Sequence, residues 1–291
     1  MPRAKVSDSV ELEYEFIGDA GAPTIALVMG FSMQMIAWDV SFCEQIASRG
    51  FRVLRFDNRD VGLSTKLSRL GVPDMMRVMS GDRSAAVYRI EDMADDLAAL
   101  LASLGVEGAH VAGASMGGFI VQETAIRHPE RLRSVTSIMS STGDRSVGYP
   151  RPEALGVLMR PPPADRAEVA DRAVSLWRTI GSPGFPFDEE RVRARALAAW
   201  DRGVDPAGVA RQMAAILTQR DRTADLGRVR IPAAVIHGGA DPLIHVSGGE
   251  ATARAIPDAR LTIVPGMGHD FAEGAWPAII EAIVENARRA S

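Results

Sequence analysis

The chain has 291 residues, of which 46% are hydrophobic and 24% charged, and its formal net charge is −4. That is the composition of a globular protein with ample apolar material for a core, and it argues against a disordered or fibrous chain. No basic stripe suits nucleic acid, the single cysteine, Cys43, permits neither an internal disulfide nor a cysteine-rich zinc site, and no apolar run reaches the ~18 residues of a membrane span. The opening MPRAKVSDSVELEYEF lacks the apolar stretch of a secretory signal, so a cytoplasmic location is expected.

In residues 10–16, Val10, Leu12, Tyr14 and Phe16 alternate with Glu11, Glu13 and Glu15. Period two predicts a strand with one wet face near a sheet edge, paired with residues 3–7 across Ser7-Asp8-Ser9. The runs 24–29, 51–56, 109–114, 135–139, 232–237 and 260–264 are short and mostly apolar, although 51–56 carries two arginines. Such runs suit strands buried on both faces of a parallel sheet. Helices are predicted between most of them. Met93, Leu97, Leu100, Leu101 and Leu104 make one stripe within 90–104, and 116–128, 249–256 and 276–289 read as helical. Strand–helix alternation implies an α/β sheet with crossover helices.

Residues 143–222 break that alternation with helices and no strand. Val169, Ala173, Leu176, Trp177 and Ile180 form a stripe within 163–180, and 188–202 and 206–219 follow, separated by Pro150, Pro152, Pro161 to Pro163, Pro183 and Pro186. This stretch is expected to form a helical cap on a core made of 1–142 and 223–291. Helices that merely cover the sheet are the alternative.

Gly113-Ala114-Ser115-Met116-Gly117 fits G-x-S-x-G, between an apolar strand and a helix. A nucleophile on a very tight strand-to-helix turn needs small neighbours two positions away, which Gly113 and Gly117 provide. The turn lifts Ser115 Oγ out at the carboxyl edge of the sheet, beside a helix N-terminus that favours developing negative charge. A serine hydroxyl needs a base to take its proton. Of the five histidines, His110 begins the strand before the elbow, His128 ends the next helix, and His237 lies within a strand. His245 competes, but His269 follows the last strand at the same sheet edge as Ser115 and is the predicted general base. Asp241, after the strand 232–237, is the predicted acceptor on its other nitrogen. Asp270 is too close in sequence to turn back onto His269, and Asp258 reads as turn chemistry. The order Ser115, Asp241, His269 leaves room for the cap in its first gap. The predicted oxyanion donors are the backbone N–H of Met116 and that of Phe31, after the bend at Gly30.

These features together resemble the α/β-hydrolase family along nearly the whole chain. FDNRDVGLS (56–64) resembles the loop after its fourth strand, and 89–106 the helix before its nucleophile strand. Within the family the likeness is to small capped serine esterases, including anthracycline methyl esterases and cofactor-free haloperoxidase-like enzymes. The resemblance implies a mostly parallel eight-stranded sheet and ester hydrolysis without metal or coenzyme. Met29-Gly30 stands where many relatives have His-Gly. Ser115 excludes the aspartate-nucleophile chemistry of family dehalogenases and epoxide hydrolases, and no HGGG motif is present.

The expected reaction is therefore serine-dependent cleavage of a small or medium, largely apolar carboxylic ester. The same triad also serves lactone, carbon–carbon bond or perhydrolase chemistry, and a non-catalytic ligand-binding protein on this scaffold is the reading from another class. Gly30, Met33, Phe119 and Trp177 are candidate pocket residues, with Met35 and Met116 nearby in sequence. Trp38 and Trp276 read as packing residues, and Asp57, Asn58 and Arg59 as a loop network. The expected partner is a small-molecule ester, with neither nucleic acid nor membrane, and the protein is expected to be a monomer or homodimer.

Overall fold

The eight predicted strands lie side by side in one sheet. The computed structural model describes residues 2–161 and 163–290. Met1, Pro162 and Ser291, which the core range and the cap's proline punctuation include, lie outside the described residues. The strands are β1 (Arg3–Ser7), β2 (Val10–Ile17), β3 (Thr24–Val28), β4 (Arg52–Phe56), β5 (Ala109–Ala114), β6 (Leu132–Ile138), β7 (Ala233–Gly238) and β8 (Arg260–Val264), in the spatial order β1-β2-β4-β3-β5-β6-β7-β8. β1 pairs antiparallel with β2, and β2 with β4; every later pairing is parallel.

The helices are α1 (Val40–Ala47), α2 (Met75–Met79), α3 (Ile90–Ser103), α4 (Met116–Arg127), α5 (Pro152–Leu158), α6 (Arg166–Ile180), α7 (Glu189–Arg202), α8 (Pro206–Leu217), α9 (Thr223–Leu226), α10 (Ser247–Ala255) and α11 (Trp276–Arg288). Period two along the central strands divides the core into two layers. Ala26, Val28, Ala109 and Val111 pack with Met93, Leu97, Ile120 and Val121 of α3 and α4. Ile25, Leu27, Ala112 and Ala114 face the other way, against Phe42 and Ile46 of α1 and Ile279, Ile283 and Val284 of α11. Cys43, on the same face of α1, is fully buried. Trp38 and Trp276 also belong to this layer, each with its ring against Phe42.

Two strands depart from the sequence pattern. Glu13, expected on a wet face of β2, is buried, because the loop after β4 covers it. Its amide donates to Ser64 Oγ and its carboxylate faces Arg202 at 4.0 Å. β8, expected to be buried on both faces, is the sheet edge, and Leu261 and Ile263 are exposed there. An apolar run does not by itself distinguish an edge strand from a central one. The arginines of β4 find partners: Arg55 donates to Glu15 and to Trp38 O, and Arg52 lies over the Phe16 ring.

Between β6 and β7 the described residues hold only helices, α5 to α9. Pro152 and Pro206, which read as punctuation and boundary, are first residues of α5 and α8, where the missing N–H is harmless. Ion pairs tie this stretch to the loop after β4. Arg211 of α8 binds Asp60 through Nε and Nη2, both at 2.8 Å, with neither side chain exposed. Arg202 Nη2 reaches Asp57 at 2.5 Å, and Asp57 also accepts from the Met35 and Leu63 amides. Asn58 Nδ2 donates to Met29 O, and Arg59 pairs with Asp96, so this loop is a hydrogen-bonded network. No helix among the described residues is long and apolar enough to cross a membrane.

Candidate active site

Ser115 joins β5 to α4 with φ 55° and ψ −116°, a strained backbone for a residue with a Cβ. The turn closes only because its flanks are glycine. A Cβ on Gly113 would stand 2.0 Å from Gly117 O, and one on Gly117 would stand 2.1 Å from Val28 O. Both are well inside contact distance, so steric crowding fixes the serine at the carboxyl end of the central strands.

β7 and β8 deliver the other two groups to the same edge. His269 Nε2 lies 2.9 Å from Ser115 Oγ, and its Nδ1 lies 2.7 Å from Asp241 Oδ2. Asp241 Oδ1 accepts from the Leu243 and Ile244 amides at 2.8 and 2.9 Å, which orients the carboxylate with Oδ2 toward the imidazole. His237 supports the same loop by donating from Nε2 to Ile244 O at 2.8 Å; burial pushes its pKa down. Its position within β7 gave no sign of that contact. The end of α6 and the turn after it grip the histidine loop, since the His269 amide donates to Ile180 O at 2.7 Å and the Gly268 amide to Ser182 Oγ at 2.8 Å.

The remaining histidines lie elsewhere. His110 meets Ser134 Oγ at the far end of β5, His128 meets Asp95 on the surface, and His245 is exposed beside Ser247. Asp270 turns away from the His269 ring and accepts from Ser182 Oγ, while burial pushes its carboxyl above the usual range. Asp258 adopts φ 56°, consistent with a turn.

Gly30 passes close to the nucleophile: a Cβ there would lie 3.2 Å from Ser115 Cβ and 3.7 Å from its Oγ. The next amide, of Phe31, donates to no group among the described residues. Met116 opens α4, and its N–H has no partner one turn back in the helix. Both predicted donors therefore flank Ser115 with free N–H groups.

A cavity of about 690 Å³ opens above them. Gly30, Phe31, Met33, Met116 and Phe119 line its floor, and Leu176, Trp177, Ile180, Met213 and Ile216 its helical side. All four pocket residues predicted from sequence line it. Met35 does not: it is fully buried, with its amide on Asp57. The periodicity of 143–222 did not single out Tyr149, Leu155 and Met159, which also line the cavity, or Arg195. Among the described residues no cluster of three or more His, Cys, Asp or Glu is arranged to hold a metal ion.

An eight-stranded sheet of this order, with a serine at its strand-to-helix elbow, is the architecture of the α/β hydrolases. Residues 23–274 match the alpha/beta hydrolase fold family, and the chain belongs to it. It is 28% identical over 314 residues to rhodomycin D methylesterase DauP of Streptomyces sp. (strain C5), covering 100% of both chains. It is also 28% identical to rhodomycin D methylesterase DnrP of Streptomyces peucetius, covering 99% of each. A solved hydrolase from Pseudomonas aeruginosa PA01 superposes with a TM-score of 0.71 at 26% identity, covering 98% of this chain and 97% of that one.

Proposed function

We propose that the protein is a serine hydrolase that cleaves a carboxylic ester of a small or medium, largely apolar substrate through an acyl-enzyme. The observation that carries this reading is the unbroken line Ser115 Oγ, His269, Asp241, with spacings of 2.9 and 2.7 Å. The 28% identity to two methylesterases along the full chain supports it.

Each step follows from that line. Ser115 Oγ attacks the ester carbonyl as His269 Nε2 takes its proton, and Asp241 holds the ring and stabilises the imidazolium. The tetrahedral oxyanion lies between the Phe31 and Met116 amides. Its collapse breaks the bond to the alkoxy group, which leaves with the proton from His269. Water then attacks the acyl-enzyme, giving its proton to His269. The carboxylic acid departs and Ser115 recovers its proton. Residues 143–222 act as the cap, excluding water and shaping the pocket with Trp177 and its neighbours; a cavity of about 690 Å³ is of a size that holds a small or medium molecule.

Intact mass after incubation with a fluorophosphonate tests the reading without knowledge of the substrate. One adduct on the wild type and none on Ser115→Ala is expected, with ester turnover falling by ~10⁴-fold or more in the variant. A folded wild type that takes up no adduct, or a variant that keeps full turnover, removes it.

A further inference from the structure

Helix α7 carries four arginines, and three of them are matched. Arg191 pairs with Asp39 and Glu273, Arg193 with Asp171 and Glu189, and Arg202 with Asp57. The fourth, Arg195, is half-buried and lines the same cavity as His269 and Asp270. No carboxylate among the described residues comes within ion-pair distance of it. Its guanidinium faces the Trp177 ring, 5.6 Å from guanidinium carbon to ring centroid, while Asp270 and Asp39 attract it only from beyond ion-pair distance. The other Asp, Arg and His side chains on the cavity wall have hydrogen bonds: Asp144 with Ser146, Arg145 with Leu217 O at 3.5 Å, His269 with Ser115 and Asp241, and Asp270 with Ser182.

A guanidinium held in apolar surroundings without an acceptor is unfavourable, because it has lost water and gained little in return. Burial, then the neighbouring Arg191, pushes the Arg195 pKa down, against smaller opposing attractions from Asp270 and Asp39. A planar fork of N–H donors suits a carboxylate better than any neutral group. Asp270 lies on the same wall but is committed to Ser182 and contacts Arg195 only at long range.

We propose that Arg195 is a specificity-determining residue that binds an ionised carboxylate on the substrate, remote from the scissile ester, so that the preferred substrates are half-esters of dicarboxylic acids. The identity of the reacting group rests on the ester-hydrolase reading; the anion subsite does not. In this picture the apolar lining holds the body of the acid, and Arg195 and Ser115 engage its two ends.

Calorimetric binding to the Ser115→Ala protein separates the two ideas, since it needs no turnover. The probes are monomethyl esters of linear dicarboxylic acids of increasing chain length, each compared with its dimethyl ester. At the best-fitting length the half-ester binds ~10-fold tighter than the diester, Ser115→Ala/Arg195→Gln abolishes that preference, and Ser115→Ala/Arg195→Lys keeps part of it. Half-esters that bind no tighter than diesters at any length, fail to bind, or keep their advantage in both double variants overturn the proposal. Circular dichroism confirms that each variant is folded, and Arg195→Met replaces Arg195→Gln if the latter is not. Failure of the hydrolase reading appears instead as a missing fluorophosphonate adduct on the wild type, and leaves the half-ester preference readable.

Discussion

The two walls of the cavity are held by different physics. On the sheet side, backbone contacts place the groups: the elbow is closed by glycines that admit no Cβ, and Asp241 is oriented by two amides. On the helical side, charged side chains do the placing, with Arg211 on Asp60, Arg202 on Asp57 and Arg191 on Asp39 and Glu273. Backbone crowding leaves almost no alternative conformation, whereas long side chains on helices tolerate many. The sheet wall is thus suited to chemistry that needs fixed distances, and the helical wall to variation in what it admits.

The largest effect should come from the sheet wall. Gly117→Ala sets a methyl group 2.1 Å from Val28 O, a backbone atom with no freedom to retreat, and is expected to cost more than ~4 kcal/mol in urea unfolding. A variant within ~1 kcal/mol of wild type would break the backbone account of the elbow. Next comes the helical wall. Arg211→Met leaves Asp60 buried without its cation and is expected to cost ~3–5 kcal/mol, while the conservative double change Asp60→Asn/Arg211→Met recovers part of that loss. Equal losses in the single and double variants would show that the pair contributes through packing rather than charge.

The smallest effect separates the two ends of one strand. Ser115 follows the carboxyl end of β5, while His110 lies near its start, against Ser134 and the edge of Phe51. Burial, and then Arg133, pushes the His110 pKa from 6.5 down to about 4. The unfolded chain therefore binds this proton more readily than the folded one. The stabilisation is complete above pH 6.5 and is lost as pH falls toward 4. His110→Asn should flatten the decline in urea stability across that window by ~3 kcal/mol. An unchanged slope would mean that the histidine is charged in the fold.

Much of this division was legible in the residues. Ser115, Asp241 and His269 follow strand ends, and strands that alternate with helices in a parallel sheet bring their carboxyl ends to one edge; the spacing of Gly113 and Gly117 states the steric demand directly. Six of the eight strands were visible as short, mostly apolar runs, β2 by its period-two alternation, and β1 by its place across the Ser7-Asp8-Ser9 turn from β2. The short helices α1, α2, α5 and α9 were not, since a helix of one or two turns shows too little of a stripe. Even so, Asp39 before α1 and Asp74 before α2 accept from amides of the first turn as N-caps do. Pro152 looked like a break and begins a helix. The burial of Glu13 and the exposure of Leu261 and Ile263 depend on which segments cover which, a tertiary matter that no local pattern records. Arg195 is the clearest case. Among its neighbours on α7 it reads as one more charge on a solvated face, and only the fold turns it inward.

Cys43 gives the molecule an experimental convenience. It is fully buried against the sheet, and burial pushes its thiol pKa up to about 12. Because alkylating reagents react with thiolate, wild-type protein is a blank for maleimide dyes while it stays folded. Any cysteine engineered onto α5 or α6 then becomes the sole address for a fluorophore. Whether α5 and α6 move relative to the sheet can then be read from environment-sensitive fluorescence or paramagnetic labels without first removing a native thiol.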